Sequence, residues 1–84
     1  MFTGIVQGKG VLRSIEHNDA VWTYQIDLPD AGGLQRGASV AINGICLTAT
    51  DMDGQCVSFD VIEETLSRTN LSQLQAGDEV NAVS

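Results

Sequence analysis

The dipeptide Asn43-Gly44, set between two alternating apolar runs, constrains this chain more than any other feature. Both central positions of a tight two-residue hairpin turn need φ > 0, and asparagine and glycine reach that region at the least cost. The turn therefore sets a register. Ile42 stands opposite Ile45, Ala41 opposite Cys46, and Ser39 opposite Thr48. A second turn signal, Asp53-Gly54, follows directly. A two-residue loop there would set a polar face against an apolar one, because a one-residue slip flips every side chain. A three-residue loop, Met52 to Gly54 with Gly54 left-handed, is the expectation, which puts Thr48 opposite Ser58 and Cys46 opposite Asp60. Ile45, Leu47, Ala49, Val57, Phe59 and Val61 then read as a core face. Ser39, Ala41, Cys46, Thr48, Thr50, Ser58 and Asp60 read as the opposite face.

The rest of the chain extends this pattern. Trp22, Tyr24, Ile26 and Leu28 alternate with Thr23, Gln25 and Asp27, as in a half-buried strand. Segment 2–15 is rich in Ile and Val but holds Gly4, Gly8 and Gly10, which suggests bulges or sharp bends. His17 lies in the polar stretch Glu16-His17-Asn18-Asp19, read as a hairpin tip. Gly32 and Gly33 mark a loop. Two short helices are expected after the central hairpins. Asp60 with Glu63 fits a capping box ahead of 61–67. Asn70 with Gln73 repeats that pattern, Leu71 and Leu74 form an apolar stripe, and Gly77 suits a C-terminal cap. Segment 79–83 reads as a last short strand. About six strands joined by short turns point to one small all-β domain spanning 1–84, closed into a barrel so that no edge stays unpaired.

Composition excludes several functions. With four basic and eleven acidic residues the chain carries a net charge of −7. Nucleic-acid binding needs a basic patch, and the scattered Lys9, Arg13, Arg36 and Arg68 do not make one. The single histidine and two cysteines fall short of the four ligands a structural zinc site takes, so no metal site is expected. Cys46 and Cys56 lie several residues apart along the hairpin, too far for a disulfide, so both read as free thiols. No apolar run spans a bilayer, and MFTGIVQGKG lacks the form of a secretory signal. A cytoplasmic location is therefore expected. A core this small is often supplemented by oligomerisation.

Ser39, Cys46, Thr48 and Ser58 give the outer face small side chains with hydroxyl or thiol groups. Such a face can receive a planar ring and hydrogen-bond its edge. The same residues also suit an ordinary solvated sheet face. Glu63 and Glu64 are available for proton transfer, although acidic residues in a first helical turn commonly serve the helix dipole. No phosphate-binding glycine loop or catalytic triad can be assembled.

Four stretches carry a resemblance to a known family: MFTGIVQG at the start, GASVAINGICLTAT at 37–50, VSFDVIEETLSRTNL at 57–71 and GDEVN at 77–81. They resemble, in order and spacing, the N-terminal barrel of riboflavin synthase, a fold shared with the lumazine and yellow fluorescent proteins of luminous bacteria. The resemblance implies a six-stranded antiparallel Greek-key barrel with a shallow ligand pocket on its outside. Carried over by motif, ligand contacts fall on Ser39, Cys46, Leu47, Thr48, Ile62, Glu63, Glu64 and Thr65. Ala41 and Asp60 join them from the same face. Phe2, Thr3 and Gly4 match an N-terminal segment that lies near the family's catalytic site. Two departures stand out: Ile45 replaces the first of a usual pair of cysteines, and Ile42 stands where a polar residue is common. Cys46, the second cysteine, is kept.

Two functions follow from the resemblance. One is a binding module for riboflavin, lumazine or a related flavin. The other is riboflavin synthase chemistry, in which one 6,7-dimethyl-8-ribityllumazine donates a four-carbon unit to another, giving riboflavin and a pyrimidinedione without a cofactor. Ser39 and Cys46 would then be the catalytic groups. The family enzyme pairs two homologous barrels, and the sequence here matches the first. Either a homo-oligomer, most simply a dimer, replaces the second, or the chain is part of a longer synthase.

Overall fold

Side-chain alternation along the chain is realised as a closed barrel. The computed structural model describes residues 7–29 and 34–83. Six strands are present: β1 (Gln7–His17), β2 (Val21–Asp27), β3 (Ser39–Ile42), β4 (Ile45–Asp53), β5 (Cys56–Ile62) and β6 (Glu79–Val83). They close in the order β1-β2-β5-β4-β3-β6, with every neighbouring pair antiparallel. β3, β4 and β5 form a meander, and β6 returns to lie beside β3, which is a Greek key. One helix, α1 (Glu63–Arg68), and one 3-10 turn (Leu71–Gln73) link β5 to β6.

The barrel interior is filled from all six strands. Leu12, Tyr24, Ile26, Val40, Ile42, Val57, Phe59, Val61 and Val80 are buried there, as are Leu28 and Leu71 from flanking segments. Burying one such side chain contributes about 1.5–3 kcal/mol. Gly10 permits a close crossing of β1. A Cβ at this position would lie 2.5 Å from Leu28 Cδ2 and 2.7 Å from the Asp27 carbonyl oxygen. The bend foreseen in this region takes the form of a bulge at Arg13, between the pairs Leu12–Ile26 and Ser14–Gln25. His17 ends β1 rather than forming the hairpin tip, and its ring stands edge-on to Trp22 at 4.2 Å.

The Asn43-Gly44 turn has both residues at positive φ, 51° and 85°, and sets the pairs Ile42–Ile45, Ala41–Cys46 and Ser39–Thr48. Asn43 also ties the turn to β6. Its N–H donates to the Asn81 carbonyl, and its Oδ1 accepts from the Asn81 N–H, both at 2.8 Å.

The second hairpin differs from the sequence reading. Its loop is two residues, Gly54-Gln55, with Asp53 opposite Cys56 and Asp51 opposite Ser58. Thr48 therefore does not face Ser58, and Cys46 does not face Asp60. The parity clash that such a loop creates is removed by a bulge at Thr50, after which Ala49 pairs with Phe59. The Thr50 hydroxyl donates to the Ser58 carbonyl at 3.2 Å. One extra residue flips the face back, so Leu47 and Ala49 are buried and Cys46, Thr48 and Thr50 exposed. Gly54 keeps the left-handed conformation expected of it, at φ 63°.

The capping box at Asp60 does not form. The ladder with β2 continues through Val61–Trp22 and Ile62–Val21, so the chain is still extended where the box would begin. Asp60 Oδ1 instead accepts from the Thr23 hydroxyl at 2.8 Å, and Ile62 caps α1 without a side-chain bond. The Glu63 N–H donates to the Ala20 carbonyl at 2.9 Å, which satisfies one donor of the helix start. The second helix is a single 3-10 turn. Asn70 precedes it without a side-chain cap bond, and Thr69 Oγ1 accepts from the Leu71 N–H at 3.3 Å. Gly77 is not its cap. At φ 98° it turns the chain into β6 and donates to the Leu12 carbonyl at 2.7 Å.

Candidate functional site

The short β3 and the first half of β4 present Ser39, Cys46 and Thr48 on one exposed face. Ser39 and Thr48 are direct cross-strand partners, and Cys46 lies two residues before Thr48, on the same side. Two other candidates on these strands offer less. Leu47 is 5% exposed and packs into the core, so only its main chain reaches the surface here. Ala41, opposite Cys46, is 8% exposed.

Next to this face the β4–β5 pairing ends. The β4–β5 pairing runs from Asp53–Cys56 to Ala49–Phe59 and stops there. Past that point residues 45–48 of β4 stay paired with β3, and residues 60–62 of β5 stay paired with β2. The two strands share no further register pair, which leaves a seam. The Cys46–Thr48 stretch borders one side of this seam. Asp60 and Ile62 border the other, and Ile62 is 51% exposed.

The chain then enters α1, where Glu63 and Glu64 occupy the first turn. Glu64 is turned toward Arg68, with Oε1 3.0 Å from its guanidinium. Thr65 is half-buried, and its carbonyl accepts from the Thr69 hydroxyl at 2.8 Å. The structure thus sets Ser39, Cys46 and Thr48 on one exposed face, with Asp60 and Ile62 on β5 and Glu63 at the start of α1. It gives Glu64 and Thr65 partners within the helical segment. Phe2, Thr3 and Gly4 lie outside the described residues. Cys46 and Cys56 are both free thiols, the first exposed and the second half-buried. The site's chemical means are hydroxyls, a thiol and carboxylates, which suit a flat ring with a polar edge and a hydroxylated tail. Among the described residues no group of three or more His, Cys, Asp and Glu side chains is arranged to hold a metal ion.

One feature escaped the sequence reading. A depression of about 350 Å³ at the barrel end is lined by Asp19, Trp22, Glu63, Leu66, Ser67 and Ser72. It shares Glu63 with the seam but takes nothing from β3 or β4. Alternation places Trp22 on one face with Tyr24, Ile26 and Leu28, and nothing in the pattern marks Ser72 as its neighbour.

Comparison with known proteins decides the family. The model described as lumazine binding domain matches residues 3–82. The chain belongs to the lumazine-binding domain family. Riboflavin synthase of Escherichia coli K12 is 53% identical over 83 residues, covering 96% of this chain and 39% of the synthase. The Schizosaccharomyces pombe synthase is 39% identical over 83 residues, covering 96% of this chain and 40% of its own. This lumazine-binding barrel therefore spans well under half the length of those enzymes. Among solved structures, LumP complexed with 6,7-dimethyl-8-(1'-D-ribityl) lumazine aligns with a TM-score of 0.85 at 32% identity, covering 98% of this chain and 47% of that one. LumP complexes with riboflavin and with flavin mononucleotide align with TM-scores of 0.87 and 0.86, both at 32% identity. Among the described residues no helix is long and apolar enough to cross a membrane.

Proposed function

We propose that this barrel binds riboflavin or 6,7-dimethyl-8-ribityllumazine on its outer face, with the ring over Cys46 and Thr48 beside the β4–β5 seam. The ribityl chain extends toward Ser39 or toward the Ile62–Thr65 turn. The observation that carries this reading is the coincidence of two independent facts. The family match extends over residues 3–82, and Ser39, Cys46 and Thr48, contacts the family resemblance implies, are exposed together on one face beside the end of the β4–β5 pairing. A flat heterocycle bearing amide-like N–H and C=O groups can be hydrogen-bonded at its edge by the hydroxyls of this face. The test is titration of the purified chain with each ligand, followed by ligand fluorescence. Saturable binding that weakens in Thr48→Val supports the site. A ligand-bound structure with the ring elsewhere on the barrel overturns it.

A second reading rests on the 53% identity to a riboflavin synthase. In that reading the barrel takes part in the lumazine dismutation, either as a homo-oligomer in the cytoplasm or as part of a longer enzyme. The chemistry needs two rings held face to face and a proton removed from a methyl group, which is positioning plus acid–base work. Ser39 and Cys46 are the groups in this chain placed to assist. An assay for riboflavin formed from the lumazine separates the two readings.

A further inference from the structure

We propose that the depression at the barrel end is a docking site for an arginine side chain of a partner protein. It is separate from the ligand face of β3 and β4 and independent of the flavin and lumazine reading.

The depression is built from the β1–β2 turn, β2 and the helical segment, with Asp19, Trp22, Glu63, Leu66, Ser67 and Ser72 as its lining. The Glu63 N–H donates to the Ala20 carbonyl at 2.9 Å, and Val21 pairs with Ile62. These contacts hold the turn that carries Asp19 against the start of α1, so carboxylates from two distant parts of the chain line one depression. Trp22 and Leu66 supply its apolar part. Trp22 packs against the core from the end of β2 yet stays half-buried. Tyr24 and Phe59 are 1% and 0% exposed, so Trp22 is the only Phe, Trp or Tyr side chain with surface among the described residues. The volume of about 350 Å³ lies at the low end of ligand sites, which run from about 300 to 1,000 Å³. That is room for one long side chain.

The lining selects the charge and the shape of its occupant. Asp19 and Glu63 favour a cation, and an indole face attracts one as well. Trp22 and Leu66 favour an apolar stem behind the charge. Arginine has both. Its planar guanidinium can stack on an indole while donating to carboxylate and hydroxyl oxygens. Within the chain nothing takes this role. Lys9, Arg13, Arg36 and Arg68 meet Glu79, Asp27, Asp51 and Glu64 respectively, so among the described residues Asp19 and Glu63 meet no cation. A second copy offers only the same four side chains, already engaged. The net charge of −7 draws a basic partner toward the surface, and the depression gives its arginine a defined seat.

Trp22 is the single tryptophan, so its fluorescence reports on the site directly. The full chain is titrated with a capped Lys-Arg-Lys peptide and with the same peptide carrying uncharged citrulline in place of arginine. Agmatine, a free small cation with the same stem and guanidinium, is the third probe. A saturable change with the arginine peptide is expected, at an affinity at least about tenfold above those of the other two. Asp19→Asn should weaken the arginine peptide severalfold and leave riboflavin affinity unchanged, because Asp19 takes no part in the ligand face. Trp22→Phe, followed by calorimetry, should weaken the peptide too. Should that variant not fold, Asp19→Asn on the exposed turn decides alone. Equal binding of the citrulline peptide overturns the proposal, since the attraction would then be diffuse. Agmatine binding as tightly as the arginine peptide overturns the protein partner and leaves a site for a small organic cation. The proposal also fails if no probe gives a saturable change, or if Asp19→Asn binds the peptide unaltered.

Discussion

The Tyr24 hydroxyl donates a 2.8 Å hydrogen bond to the carbonyl of Leu71, joining residues 47 apart in sequence within the buried core. This bond fastens the 3-10 turn that follows α1 to the inside wall of β2. It also explains why an otherwise apolar strand face carries a tyrosine, since a buried hydroxyl needs a partner. The Leu71 carbonyl also accepts from the Leu74 N–H at 3.1 Å, so it keeps one partner when the tyrosine is lost. Tyr24→Phe should therefore cost about 1 kcal/mol, toward the low end for a buried hydrogen bond. Urea unfolding checks this. The segment around Leu71 should also lose hydrogen-exchange protection before the strands do.

Tyr24 also predicts a base limit. Burial raises its pKa above the ordinary tyrosine value, because the low-dielectric core disfavours the phenolate. The unfolded chain ionises near pH ~10, and the folded chain only above that. The contribution is thus fully present below pH ~10 and is lost as pH rises toward the folded pKa. Tyr24 is the single tyrosine, so tyrosinate absorbance reads it alone. The midpoint should lie above the ordinary value and coincide with loss of structure. An ordinary midpoint in an intact barrel would contradict its burial.

Gly10 should tolerate no side chain. A Cβ would sit 2.5 Å from a Leu28 side-chain carbon, which can shift, but also 2.7 Å from the Asp27 carbonyl oxygen, which is held in the barrel wall. Gly10→Ala should destabilise the barrel by about 1–3 kcal/mol, the usual cost of overpacking. Thermal unfolding measures it, and an unchanged midpoint would mean the β1 crossing is looser than described.

Sequence alone conveyed the face of each central strand but not the mechanism that produces it. Asn43-Gly44 determines its hairpin locally, through two positive φ angles, so its register was legible. The next hairpin was not, because two devices give the same face assignment: a longer loop, or a short loop with a bulge. The bulge at Thr50 depends on pairing with Ser58 from the next strand, which no local pattern encodes. The capping box at Asp60 failed for a similar reason. The β2 ladder holds residues 60–62 extended, and tertiary pairing outweighs a local propensity of about 1 kcal/mol. Ser39, Cys46 and Thr48 were legible as one face because they depend only on the first turn. The end of the β4–β5 pairing beside them was invisible, since it depends on where two strands part company.

Cys46 and Thr48 give the site its most direct chemical test. Under native conditions an alkylating reagent should modify exposed Cys46 ahead of half-buried Cys56. Saturating riboflavin should slow modification of Cys46 and leave Cys56 unaffected. Thr48→Val keeps the shape and removes the hydroxyl, which should weaken riboflavin binding by about 1 kcal/mol, roughly fivefold in affinity. Protection of neither cysteine, with affinity unchanged in the variant, would move the ligand off this face.

The barrel should assemble with a second copy of itself, and the ligand should strengthen that assembly. A domain of this size buries a limited core, and its candidate site lies on an outer face with exposed Ile62 at its edge. A ring laid on that face has protein on one side and solvent on the other. Covering it with a second barrel would remove the ring's open face from water, and a two-fold arrangement would let each copy cover the other's ligand. Such a pair could set two rings face to face, so assembly is required for dismutation in this scheme without being sufficient for it. Sedimentation at micromolar concentration should give a dimer, with dissociation shifted to lower concentration when riboflavin is present. A strict monomer that still binds riboflavin tightly would rule out the paired barrel and leave a single-barrel flavin carrier.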